Sequence, residues 1–191
     1  MRNKNKITER VLFILRIFIK KPIFLLRALL GAFNAIILKK HELRFMDIAV
    51  DYQCNLRCNH CSAWPMKNDS SSLLSLEEYD KVAKSLISEG CAAFHFTGGE
   101  PLLRNDLEDI ISLFKPRHSL ISVQTNGLLV TEQRIKSLKE IGLDILCVSI
   151  DSFYSKEHDS FRSCNGLHKK AWNAIEIALK ANLRAMISVC I

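Results

Sequence analysis

Three cysteines fall within eight residues, in the run Cys54-Asn55-Leu56-Arg57-Cys58-Asn59-His60-Cys61. Thiols set among Asn, Arg and His have no apolar core to fill, so their spacing points to a soft-metal site, zinc or an iron–sulfur cluster. Zinc normally closes a tetrahedron with paired Cys-x-x-Cys knuckles, and no second pair occurs in the chain. His60 could complete a Cys3His set, but next to Cys61 it reaches the same ion only under strain. A cubane held by three Cys would leave one iron open. The total of seven Cys in 191 residues is odd, and the dense cluster fits a reducing compartment better than a secreted disulfide scaffold.

Other polar groups recur where apolar runs end. They are Thr97-Gly98-Gly99-Glu100-Pro101, Thr125-Asn126-Gly127 and Ser149-Ile150-Asp151-Ser152, followed by His158-Asp159 and Phe161-Arg162. Arg57 and Arg104 are cations close in sequence to two of these ends. Cys91 and Cys147 read as core thiols, whereas Cys164 and Cys190 are candidates for additional ligands or hydrogen-atom donors.

The elements that must position these residues alternate. Short apolar strands are expected near 45–51, 92–97, 119–125, 145–150 and 185–191, with amphipathic helices near 76–89, 106–115, 132–141 and 168–181, the pattern of a parallel sheet with crossover helices. Ser75 with Glu78 and Asn105 with Glu108 have capping-box spacing, Thr131 is a candidate N-cap, and Gly90 and Gly142 follow helix ends. Residues 66–74 read as a flexible loop. Each strand has one apolar row, such as Ile121 with Val123, and one polar row: Asp47, Ala49 and Asp51; His95 and Thr97; Ser122, Gln124 and Asn126; Cys147, Ser149 and Asp151; Ser188 and Cys190. A doubly wound sheet should be apolar on both faces. The polar rows therefore favour an α/β fold of another kind: an open barrel with a wet interior, its site at the C-terminal strand ends.

Charge is segregated. Residues 1–40 hold ten Lys and Arg against a single acid, Glu9, while the remainder has 17 Lys and Arg against 19 acids. That split disfavours a nucleic-acid-binding surface on the main domain. Arg16, Lys20, Arg27 and Asn34 recur at helical spacing among Leu, Ile and Phe, interrupting any run long enough to span a bilayer. The segment reads as a pair of amphipathic helices divided near Pro22, with membrane-surface contact through residues 9–38 or packing against its own domain as the two outcomes.

With the motifs set out, the chain resembles the radical S-adenosylmethionine superfamily over residues 44–191. The Cys-x3-Cys-x2-Cys run after the first strand resembles that family's cluster motif, and Gly98-Gly99-Glu100 its GGE motif. The resemblance implies a [4Fe-4S] cluster on Cys54, Cys58 and Cys61, with the amino and carboxylate groups of S-adenosyl-L-methionine chelating the fourth iron. It implies further that Gly98, Gly99 and Glu100 meet the methionine amino group, that Asn126, Ser149 and Asp151 lie near ribose and substrate, and that His60 packs near adenine. No catalytic residue is assigned beyond these.

The implied reaction is one-electron cleavage of the sulfonium to a 5′-deoxyadenosyl radical that abstracts hydrogen from a substrate, a peptide or protein or a cofactor precursor. A donor such as flavodoxin or ferredoxin would supply the electron. His158-Asp159 and Phe161-Arg162 resemble the HDxFR stretch of peptide-modifying members with SPASM or twitch domains. Leu74 to Glu78, Thr97 to Arg104 and Thr125-Asn126-Gly127 resemble the GTP cyclase family of molybdenum-cofactor biosynthesis. Two regions are expected: a basic amphipathic arm over 1–42 and a core over 43–191, for which the resemblance implies an α/β fold, a partial, open (βα)6-type TIM-like barrel truncated in strand five that lacks the family's sixth strand. The competing expectation is a non-catalytic cluster-binding or electron-transfer module. The expected location is the cytoplasm, peripheral on the inner face of the membrane.

Overall fold

Apolar side chains at every second position of five short segments form parallel strands, and the helices between them cover that apolar row. The computed structural model describes residues 19–41, 43–63 and 73–190. The strands are β1 (Phe45–Ala49), β2 (Ala93–Thr97), β3 (Leu120–Thr125), β4 (Ile145–Ser149) and β5 (Arg184–Ser188). The helices are α1 (Pro22–Ile36), α2 (Leu76–Ser88), α3 (Leu107–Leu113), α4 (Glu132–Ile141), α5 (Ser155–Phe161) and α6 (Leu167–Lys180), with a 3-10 turn at Pro101–Leu103. Most of the loop expected over 66–74 lies outside the described residues, as does the arm before residue 19.

The sheet order is β1-β2-β3-β4-β5. Right-handed crossovers between strands in strict sequence order put every covering helix on the same face, whereas a doubly wound sheet reverses at a switch point. One face is thus dry. Phe94, Phe96, Ile121, Val123, Leu146 and Val148 are buried beneath α2 to α6, and Phe114 stands edge-on to Phe94 and Phe96 at 4.9 and 5.2 Å. The other face carries the polar rows in register: Asp47, His95 and Ser122 are neighbours, as are Gln124 and Cys147, and Ser149 and Ser188. His95 Nδ1 lies 2.7 Å from Ser122 Oγ, and Gln124 Nε2 donates to Ser149 Oγ at 2.7 Å.

Local signals account for most helix ends. Ser75 and Glu78 form a reciprocal capping box on α2, Thr131 accepts from Arg134 N on α4, and Gly142 ends α4 at φ 109°. The Asn105 cap is corrected: α3 starts after Asp106, whose carboxylate is taken by Arg104 Nε and Nη2 at 2.8 and 2.7 Å, and no side chain caps the helix. Pro22 opens α1 at a position where its missing N–H costs nothing. The polar stripe of the arm divides: Arg27 turns toward the domain and donates to Ile87 O and Cys91 O, whereas Lys20 is exposed. No helix among the described residues is long and apolar enough to cross a membrane.

Candidate functional site

The C-terminal strand ends converge on a cavity of about 270 Å3 lined by Cys54, Cys58, Cys61, His60, Gly98, Gly99, Asn126 and Ser149. Gln124, Thr125, Arg162 and Cys190 complete much of its wall. Eight of the ten sequence-predicted site residues therefore meet in one place. Glu100 and Asp151 do not line it; each holds a wall residue instead.

The cysteine loop is fastened from four directions. Gly99 N donates to Asp51 O at 2.7 Å, Glu100 N to Gln53 O at 2.8 Å, and Asn126 Nδ2 to Asn55 Oδ1 at 2.8 Å. Asn59 N donates to Phe161 O at 3.3 Å, beside which the His60 and Phe161 rings stack with centroids 4.0 Å apart. The glycine pair is required by this approach. A Cβ on Gly98 would overlap the Asp51 carbonyl and one on Gly99 the Gln53 carbonyl, and Gly98 also sits at φ 130°.

Glu100 is 1% exposed and ties two strand ends together. Its Oε1 accepts from Leu102 N at 3.1 Å and Thr125 Oγ1 at 2.8 Å, and its Oε2 from Asn126 N at 2.8 Å. Burial pushes its carboxyl above the ordinary range, with those three hydrogen bonds opposing. Asp151 accepts from Arg162 Nε at 2.5 Å, Arg162 Nη2 at 3.1 Å and Cys190 N at 3.0 Å. Burial raises the Asp151 carboxyl, but the Arg162 contacts, the Cys190 N–H and the nearby His158 outweigh it and hold the group below its usual value.

The His158 to Arg162 stretch is used almost wholly for construction. His158 Nδ1 accepts from Asp151 N at 3.2 Å, Asp159 accepts from Gly166 N and His168 N at 2.6 and 2.8 Å, Phe161 carries the stack on His60, and Arg162 binds Asp151. Sequence reasoning quoted these residues without placing Phe161 or Arg162 at the site. The signal that could have found them is their position one short helix after a polar strand end. Arg104 was singled out instead, and it is spent on Asp106 and Val50 O beside Tyr79. Arg57 is exposed, and Cys164 is half-buried away from the cavity wall.

The donor set fits an iron–sulfur cubane. Cys54, Cys58 and Cys61 are all half-buried on one wall, and the Cys58 thiol is raised by burial, lowered by the Arg162 charge and raised again by its two neighbours. Among the described residues no three His, Cys, Asp or Glu side chains converge as a single ion would require. A cubane does not need that convergence, since each thiolate takes a different iron. His60 Nδ1 is buried in the same wall with no hydrogen-bond partner, an orphan that a polar ligand would satisfy.

A family model described as the radical SAM superfamily matches residues 50–191. A probable GTP 3′,8-cyclase from Methanocella arvoryzae is 36% identical over 138 residues, covering 72% of this chain and 44% of that protein. An Fe-coproporphyrin III synthase from Methanosarcina barkeri is 33% identical over 140 residues, covering 71% of this chain and 35% of that protein. The chain thus spans about half or less of the length of these relatives. Among solved structures, native anSMEcpe with bound AdoMet superposes with a TM-score of 0.63 at 24% identity, over 76% of this chain and 43% of that one.

Proposed function

The chain belongs to the radical SAM superfamily, whose members use a [4Fe-4S] cluster and S-adenosylmethionine, and from that premise we propose that this cavity is where both are held. The observation that carries the reading is the meeting of three thiols and the Gly98-Gly99 turn on one wall, above a polar sheet face. Cys54, Cys58 and Cys61 hold the cluster. The bound pair supplies a 5′-deoxyadenosyl radical after one-electron reduction by a donor such as flavodoxin or ferredoxin. Gly98 and Gly99 present backbone to the methionine part, held in place against the Asp51 and Gln53 carbonyls that a Cβ on either would strike. His60 offers its unpartnered Nδ1 and a ring held flat by Phe161 to the adenine. Arg162, fixed by Asp151, is the guanidinium lining the cavity and meets a carboxylate, while Gln124, Asn126 and Ser149 present polar groups toward ribose and substrate.

For the substrate, the names of the relatives support a small cofactor precursor, hydrogen being abstracted from it above the cavity. The resemblance at His158 to Arg162 gives a peptide substrate little support, because those side chains are engaged inside the domain. Anaerobic reconstitution with iron and sulfide, reduction with dithionite and addition of S-adenosylmethionine tests the reading. A shifted cluster EPR signal with release of 5′-deoxyadenosine is expected. A reduced cluster whose signal ignores S-adenosylmethionine would sink it. GTP and a peptide mixture, each deuterated on carbon and added separately, discriminate the substrate classes by which of them passes deuterium into the 5′-deoxyadenosine formed.

A further inference from the structure

Helix α1 is built inside out. A helix on the surface of a soluble domain packs its apolar stripe on the core and turns its polar side chains to water. Here Lys21, 7% exposed at the start of α1, donates to Ser119 O at 2.8 Å and Gly142 O at 3.3 Å and pairs with Asp144. Arg27 donates to Ile87 O and Cys91 O at 3.0 and 2.8 Å, and Arg44 donates to Gly31 O. Those partners directly precede β1, β2, β3 and β4. The helix therefore lies across the N-terminal strand ends, opposite the cysteine loop.

With its cations turned inward, α1 leaves Leu26, Leu29, Leu30, Phe33, Ile36 and Ile37 each more than half exposed. At about 100° per residue the six share roughly a third of the helix circumference. Exposed Lys20, Lys39 and Lys40 flank that face at both ends, within a segment holding ten cations against Glu9. The complementary partner must be apolar in the middle and anionic at the margins. A second copy would set like charge against like, and an acidic protein surface would leave the apolar stripe in water.

We propose that α1 docks the protein on an anionic lipid surface, with its axis in the membrane plane, its apolar face among the acyl chains and Lys20, Lys39 and Lys40 at the headgroups. The orientation follows. Strands of five or six residues, rising about 3.3 Å per residue, place the cavity some 17–20 Å farther from the bilayer, with its mouth open to water.

The test uses the full chain and vesicles of phosphatidylcholine alone or mixed with phosphatidylglycerol. Co-sedimentation with the mixed vesicles is expected, weakened at least tenfold by Leu26→Asn with Phe33→Asn and about thirtyfold by Lys39→Gln with Lys40→Gln, circular dichroism being unchanged in both. Vesicle-bound protein without metal should react at Cys190 with a water-soluble maleimide as fast as free protein. Equal binding of the apolar-face variant overturns the docking. So does failure to bind mixed vesicles, with a self-associated species on gel filtration that this variant abolishes. Strong protection of Cys190 on vesicles overturns the orientation.

Discussion

Glu100→Gln separates a structural latch from a ligand. The carboxylate is buried and serves three donors, two on Oε1 and one on Oε2. A glutamine oxygen in the Oε1 place keeps Leu102 N and Thr125 Oγ1 but sets its NH2 against Asn126 N–H. In the Oε2 place it keeps Asn126 N, the Thr125 hydroxyl can turn to accept, and Leu102 N–H is orphaned. Either way one buried backbone donor loses its acceptor, at a cost of about 1–3 kcal/mol. For a domain of this size that lowers Tm by roughly 2–12 °C. Glu100→Ala orphans all three and takes at least about 3 kcal/mol from a total of about 5–15. The assay is urea unfolding of metal-free protein under reduction, beside calorimetric titration of the reconstituted protein with S-adenosylmethionine. If the Gln variant unfolds at the parental urea midpoint and yet fails to bind the cofactor, the latch argument is refuted and the carboxylate acts on the ligand alone.

Cys58→Ala should reduce reconstituted iron to background while far-UV circular dichroism stays parental, because the thiol is half-buried in a cavity wall and supports no core contact; full iron retention would reject the ligand set. Gly98→Ala should cost more than about 2 kcal/mol in urea unfolding, since the methyl meets the Asp51 carbonyl and φ 130° is foreign to alanine. The Asp151 carboxyl is held below its ordinary value, so its ion pair stabilises fully above about pH 4 and the gain is lost as pH falls through the native pKa. Arg162→Met should flatten that acid limb in a series of urea midpoints from acid to neutral pH.

Much of the barrel could be read in advance because strand faces alternate. The polar residues from Asp47 to Ser188 share a face by parity alone, and pairing brings them side by side. The cysteine loop was legible because three thiols at close spacing have few other uses. Less legible were residues whose task depends on a distant partner. Nothing local says that Glu100 would spend its oxygens on Thr125 and Asn126, or that Phe161 would lie flat on His60 a hundred positions away. The seven-residue α5 was missed because its Ser-Lys-Glu-His-Asp-Ser-Phe sequence has too few apolar positions to show a period. The arm misled in one respect: periodicity finds a polar stripe but not whether water or the domain's own carbonyls receive it.

Two of the ten cations in residues 1–40, Lys21 and Arg27, answer a need of the sheet itself. Where parallel strands begin, carbonyls of the preceding turns lack donors, and they are met by cations: Lys21 at Ser119 and Gly142, Arg27 at Cys91. Where strands end, the N–H groups of the following turns lack acceptors, and they are met by acids: Glu100 at Leu102 and Asn126, Asp151 at Cys190. Ions of the other sign take part at each end as well, Asp144 accepting from Ile121 N and Arg104 donating to Val50 O. Buried acids at the cavity end would by themselves oppose a set of thiolates there. Arg162 relieves part of that conflict by pairing with Asp151 and by opposing the rise that burial gives the Cys58 thiol, so one guanidinium serves both the frame of the site and its contents.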